Sequence, residues 1–256
     1  MKRLPEREPI PSYRKAGVAL ALSWTAGFVD LVGYLSLKHI LTANMSGNTI
    51  SLGQGLVAGD SGLAAIRGWA LLMFVCGLFI AAFVHEFGER RKFHSVAAIT
   101  LGLESLMLIV YAIGGQHALQ NGEITGSTPH VFLLLALSTL AMGIQNATLT
   151  RVGLLSVRTT HVTGTISKFA ESASRYLIWT FDRLRHGRSL RFTLNASVNQ
   201  RDFIVASLTA LLWIFFLLGG ISAAYLRNQI QLLCLAIPIF VLLLLVAMDI
   251  RKPLVE

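Results

Sequence analysis

Apolar residues in this chain come in long runs rather than in alternation or as one face of an amphipathic period. Six runs approach the roughly 20 residues that a helix needs to cross a bilayer core. They are Gly17–Leu37, Ala64–Val84, Ser95–Gly114, Val131–Thr150, Phe203–Leu226 and Ile230–Met248. The pattern predicts an all-α membrane protein with six transmembrane helices. Residues 1–15 are polar, and the first run continues without a clean small-residue exit. No cleavable signal peptide is therefore expected.

Two stretches fit neither a span nor a solvated loop. Leu41–Leu56 contains Asn44-Met-Ser-Gly-Asn48, and Arg158–Glu171 contains His161-Val-Thr-Gly-Thr165. Both are too polar to face lipid and too apolar for an ordinary loop. Gly47 and Gly164 align, and so do the spans before them, Ala26-Gly-Phe-Val-Asp30 and Gly143-Ile-Gln-Asn146. Each half thus offers a polar position in a span, followed by a Gly element. The expected organisation is a single polytopic membrane domain with a tail over 1–16. Two three-helix repeats follow, over 17–127 and 128–250, the second carrying a basic insertion about 175–201. An odd number of spans per half inverts the second copy. Gly-interrupted segments at matching places in inverted halves point to a transporter's binding site, because freed backbone groups are tolerated only where they line a cavity or are buried in protein. The alternative is that these stretches are surface turns whose hydroxyls cap the next helix.

Charge then sets orientation. Only 14% of residues are charged, mean hydropathy is +0.63, and the formal net charge is +9. Of the 22 Lys and Arg residues, 19 fall on the N-terminal tail, alternate connections and the C-terminal tail, against three (Lys38, Arg67, Arg227) on the other side. That is a positive-inside distribution. It predicts a multi-pass protein of a bacterial inner (plasma) membrane with both termini cytoplasmic. The basic balance then reflects topology and contact with the bilayer's anionic headgroups, and no nucleic-acid partner is expected. Cys76 and Cys234 sit in apolar runs and read as core residues.

The strings Ala26-Gly-Phe-Val-Asp30-Leu-Val-Gly-Tyr34 and Ala43-Asn-Met-Ser-Gly-Asn48 resemble the signature of the YoaK-like bacterial integral membrane proteins, a family known chiefly as a domain of unknown function. Met142-Gly-Ile-Gln-Asn-Ala147 with Thr159-Thr-His-Val-Thr-Gly-Thr165 is similar to the second signature, so the likeness covers roughly residues 15–250. The resemblance implies an inner-membrane protein and imports no activity or substrate.

The functional expectation therefore rests on the residues. Asp30 and Glu104 lie inside spans, where an ionised carboxyl costs about 2.5–3.5 kcal/mol on insertion scales. They are candidates for handling a proton or cation, Asp30 having a structural bond to the Gly47 element as its alternative. Asn44, Ser46, Asn48, Gln145, Asn146, His161, Thr163 and Thr165 are candidates for contacting a small polar solute or ion, with Gly47 and Gly164 as hinges. His161 could equally bond a nearby carbonyl. Phe169–Arg185 reads as an interfacial helix. There is no phosphate-binding loop and no i, i+4 histidine pair among the seven histidines, so no cofactor, metal or enzymatic role is expected. For Ser46 as a hydrolase nucleophile, which needs an activating base, His39 and His161 are the only nearby candidates, and the inverted topology puts them on opposite sides of the membrane. The reading is a small secondary transporter, proton- or cation-coupled, with a homodimer plausible at this size. The alternative is a non-transporting subunit that binds another membrane protein.

Overall fold

The computed structural model describes residues 12–124, 128–151, 162–186 and 196–254. Its helices are α1 (Tyr13–Ser36), α2 (Met45–Ala58), α3 (Ser61–Arg90), α4 (Val96–Gln120), α5 (Pro129–Arg151), α6 (Val162–Arg185), α7 (Arg201–Ile230) and α8 (Ala236–Arg251), with a 3-10 turn (Gln231–Leu235) before α8. Local sequence sets several ends. The Ser12 hydroxyl accepts from Lys15 N at 3.4 Å and starts α1. Asp60 accepts from Leu63 N at 2.9 Å and starts α3. Gly59, at φ +69°, closes α2 in the left-handed region, which a residue without Cβ enters without steric cost. Gln200 Oε1 accepts from Phe203 N at 2.7 Å and starts α7. Pro129 opens α5, where its missing N–H removes nothing the helix needs.

Side-chain bonds between helix ends fix their directions. Arg227, late in α7, donates to Ser36 Oγ (3.1 Å) and Leu35 O (3.0 Å) at the end of α1, so α1 and α7 are parallel. Arg14, at the start of α1, donates to the carbonyls of Met248, Lys252 and Pro253 at the end of α8. Gln116, late in α4, donates to Gln231 (2.8 Å) and accepts from Leu232 N (3.1 Å), while Asp249 reaches Ser95 and Ala98 at the start of α4. Helix α8 therefore runs antiparallel to α1, α4 and α7. Gln231, at φ +52°, makes the reversal. Among the described residues five stretches are long and apolar enough to cross a membrane, the fifth being Arg201–Arg251. The chain reverses within that stretch, and its second helix has 16 residues, about 24 Å.

One end of the bundle thus carries Arg14, Arg90, Arg151, Arg201 and Arg251; it is called the basic end below. Helix α1 packs on α7 and α3 packs on α5, while α4 lies against α5 and α8. Glycine makes the first two contacts close. A Cβ on Gly27 would collide with the Phe216 carbonyl, and one on Gly219 with the Trp24 carbonyl. Gly77 and Gly143 oppose each other in the same way, against the carbonyls of Leu140 and Phe74. Lipid is as apolar as these side chains, so close backbone approach, not water exclusion, holds such helices together. Phe79, Phe83, Leu217, Ile221 and Phe240 remain exposed on the bundle's flanks, as a lipid-facing surface requires. A groove of about 360 Å³ between α4 and α8 is lined by Ile109, Ile113, Leu233, Phe240 and other apolar residues. It continues that lipid-facing surface.

Asp249 joins two helices at the basic end. Fully buried, it accepts from Ala98 N (2.8 Å), Ser95 Oγ and Leu254 N (2.7 Å). Ser95 makes no cap bond of its own, so a carboxylate from α8 serves as the N-cap of α4, where the helix dipole favours a negative charge.

Candidate functional site

The segment after α1 turns back into the bundle. Lys38 and His39 take positive φ (50° and 58°), which reverses the chain. His39 N donates to Tyr34 O (3.1 Å), and the two rings meet edge to face. Thr42 then packs beside Gly33, where no side chain larger than hydrogen would fit. Asp30 Oδ1 accepts from Ala43 N at 2.7 Å and Thr42 Oγ1 at 3.4 Å, and the Asn44 N–H also faces this carboxyl. Asp30 lies six residues before the end of α1, so the chain has returned by about 9 Å. Helix α2 then runs outward against the first turns of α3, with Gly55 on Ala64 and Leu52 near Gly68. The Asn44 stretch is thus a re-entrant element with an embedded helix start.

Its polar side chains hold it in place. Asn48, fully buried, donates to Leu41 O (2.7 Å) and accepts from Arg67 (2.8 Å), which also donates to His39 O (3.2 Å). Arg67 thus clamps the element instead of reaching for the membrane surface. Ser46 is exposed and donates to Asn44 Oδ1 at 2.7 Å. Gly47 lies inside α2 and Gly164 inside α6, so the backbone break of the first element falls on Lys38 and His39 rather than on the glycine. Asp30 makes the bond to this element that its sequence position allows, joining α1 to the re-entrant turn. Hydrogen bonds to a charged group are worth about 1.5–3 kcal/mol each. Asp30→Ala is therefore expected to speed amide exchange across 37–48 by about tenfold to a hundredfold, with α4 and α5 unchanged. Exchange mass spectrometry checks this; unchanged rates at 37–48 would show that the anchor lies elsewhere.

A second set of polar groups sits in the bundle core. Glu104 on α4 is fully buried, and neither carboxyl oxygen has a hydrogen-bond partner among the described residues. Gln145 on α5 donates to Leu22 O of α1 at 2.6 Å, which leaves its own Oε1 unpartnered. Thr25 Oγ1 and the Tyr111 hydroxyl are also buried without partners. Helix α5 lies against α4 and reaches α1 through Gln145, so α1, α4 and α5 border one region. Glu104 is eight residues into α4 and Gln145 six from the end of α5, about 12 and 9 Å from the basic end. Gln145 Oε1 and the Glu104 carboxyl are groups that accept hydrogen bonds or bind cations. Asn146, next to Gln145 in sequence, is buried as well.

The second Gly element is arranged differently. Helix α6 packs on α7, as α2 packs on α3, and among the described residues α2 and α6 share no extended contact. Thr165 is buried, Thr163 and Gly164 are exposed, and His161 lies outside the described residues. Sequence reasoning passed over His85, which is fully buried on α3 with neither ring nitrogen partnered among the described residues, one turn before Glu89 and its ion pair with Arg151 (3.7 Å). The available signal was a histidine closing an apolar run. Among the described residues no three His, Cys, Asp or Glu side chains are grouped to hold a metal.

The model of a family described as protein of unknown function (DUF1275) matches residues 18–248. The chain is 33% identical over 170 residues to the UPF0700 transmembrane protein YoaK of Bacillus subtilis (strain 168), covering 66% of this chain and 71% of that one. No solved structure matches.

Proposed function

The chain belongs to the DUF1275 family, described as proteins of unknown function, and for this multi-pass membrane protein we propose a small secondary carrier whose coupling group is Glu104. The observation that carries the reading is the fully buried Glu104 carboxyl without a hydrogen-bond partner among the described residues. A carboxylate at membrane depth demands a compensating positive charge. Gln145 Oε1 is unpartnered too among the described residues, and both groups can accept. A proton, a small metal cation or a protonated amine suits such acceptors. Asp30 is assigned a different task, holding the re-entrant element as a latch that must release if that end is to open.

The carrier reading includes six crossings in two inverted halves. Exchanging α1 with α5, α2 with α6, α3 with α7 and α4 with α8 turns the α1–α7 contact into the α5–α3 contact, and the α2–α3 contact into the α6–α7 contact. The same exchange carries Gly27 to Gly143, Gly77 to Gly219 and Asp30 to Asn146, and it reverses every helix direction. This supports a duplicated, inverted design with the polar layer between the halves. The basic end faces the cytoplasm by the 19-to-3 distribution of Lys and Arg.

The test is thermal stability of the purified protein against sodium, potassium, ammonium and small amines across a range of pH, followed by uptake in proteoliposomes. A cation that binds only the folded state stabilises it by about 2.7 kcal/mol at a hundredfold excess over Kd. A ligand that stabilises the protein but is not moved by proteoliposomes would favour a binding subunit over a carrier.

A further inference from the structure

Helix α6 has three edges. One holds it to the bundle: Thr165 and Ser172 are buried, the Tyr176 hydroxyl bonds Ser197 Oγ (2.8 Å), and the Tyr176 ring lies 5.1 Å from that of Phe203 at the start of α7. A second edge presents Leu177, Ile178 and Phe181 at 64%, 63% and 64% exposure, continued by Leu184. A third is polar and carries Glu171, Arg175 and Asp182, with Arg175 donating to Glu171, and Arg185 closes the helix. Arg183 stacks over Trp179, 4.4 Å from its ring centroid, so this cation and this indole sit at one level.

An apolar edge of this size on a helix packed on α7 needs an occupant. Charge decides which. Arg175, Arg183 and Arg185 share the basic end with Arg14, Arg90, Arg91, Lys92, Arg251 and Lys252. Helix α2, which packs on α3 at the opposite end as α6 packs on α7, contains no Asp, Glu, Lys or Arg at all. The cations are therefore particular to one membrane face, not to this type of packing. Guanidinium groups bind phosphate oxygens bidentately, and Tyr and Trp sit where an apolar body meets a wet boundary.

We propose that the second half of α6, residues 176–185, is a binding site for anionic phospholipid, with Leu177, Phe181 and Leu184 entering the acyl boundary and Arg175, Arg183 and Arg185 engaging headgroup phosphates. Such a helix fixes the depth of α6 and makes the protein's behaviour depend on the charge of its membrane. The site stands apart from Glu104 and holds whether or not a solute is carried.

The test uses the full chain with Trp24, Trp69 and Trp213 changed to Phe, leaving Trp179 as the single reporter. It is reconstituted in phosphatidylcholine containing a minor fraction of either phosphatidylcholine or phosphatidylglycerol brominated near the headgroup. The site predicts at least about twofold stronger quenching of Trp179 by brominated phosphatidylglycerol than by brominated phosphatidylcholine. Arg175→Gln, Arg183→Gln and Arg185→Gln together should remove the difference and leave fold and Glu104-dependent ligand binding intact. Equal quenching by the two lipids overturns the proposal. So does Trp179 that is quenched by aqueous iodide and by neither lipid. If Phe181→Asp instead converts a dimer to a monomer in neutral vesicles, the occupant is a second copy and the proposal also fails. Should the tryptophan replacements unfold the chain, native mass spectrometry of the otherwise unaltered protein serves. Preferential retention of phosphatidylglycerol that is lost in the triple Arg→Gln variant supports the site, and equal retention overturns it.

Discussion

Glu104→Gln is expected to fold, insert and melt close to the parent protein, and to lose all cation-dependent stabilisation. The glutamine keeps the shape and length of the side chain but cannot take up a proton or balance a cation. At a hundredfold excess of ligand over Kd the missing increment is about 2.7 kcal/mol, and proteoliposome uptake falls to the level of empty vesicles. Glu104→Leu separates function from structure. Replacing a buried charged group by an apolar residue of similar volume is often neutral or stabilising, and the Glu104 carboxyl makes no hydrogen bond to lose among the described residues. The leucine variant should therefore be at least as stable as the parent, and equally inert toward cations. If both variants melt far below the parent without ligand, the carboxyl is a structural group and the carrier reading loses its coupling residue. If both keep their ligand response, the cation binds elsewhere.

What could be read from the sequence follows from which signals are local. Apolar runs near 20 residues mark helices directly, and each predicted run falls largely on helical residues of the bundle. Asp30 and Glu104 stood out because carboxyls are rare in such runs, but their roles depend on neighbours far along the chain. Asp30 is answered by Thr42 and Ala43, close enough in sequence for the anchoring alternative to be conceivable beforehand. Glu104 is distinguished by what fails to reach it, and composition carries no record of a missing partner. Glycine tolerates left-handed backbone, which makes Gly47 the expected helix break. The break falls on Lys38 and His39, held there by contacts with Tyr34 and Arg67 that only the fold supplies. Asp249 follows the last apolar run of the sequence. Its capping of α4 joins residues 151 positions apart, and no local pattern announces it.

Gly27→Ala is expected to be among the most destabilising single-methyl changes in the chain. The added carbon would overlap the backbone carbonyl of Phe216, and a backbone carbonyl cannot rotate away as a side chain can. Helices α1 and α7 must separate along their whole contact, including Gly219 against Trp24 and the bond from Ser23 to Leu212 O (2.8 Å). Overpacking of this kind costs about 1–3 kcal/mol, at times more, read as a lower melting temperature in detergent. Gly77→Ala should behave alike, because the α3–α5 crossing at Gly143 has the same geometry. Gly102→Ala is the control. Nothing lies within 4 Å of its added carbon, so it should be neutral, or stabilising by up to about 1 kcal/mol through helix propensity. Gly27→Ala and Gly219→Ala press on the same crossing, so the double variant should cost less than the two singles added. Once the helices have moved apart for one methyl, the second finds room. Gly27→Ala combined with Gly77→Ala should add fully if the two crossings are independent. A shortfall there would mean that α1–α7 and α3–α5 move as one unit, which is the coupling that alternating exposure of a central polar layer requires.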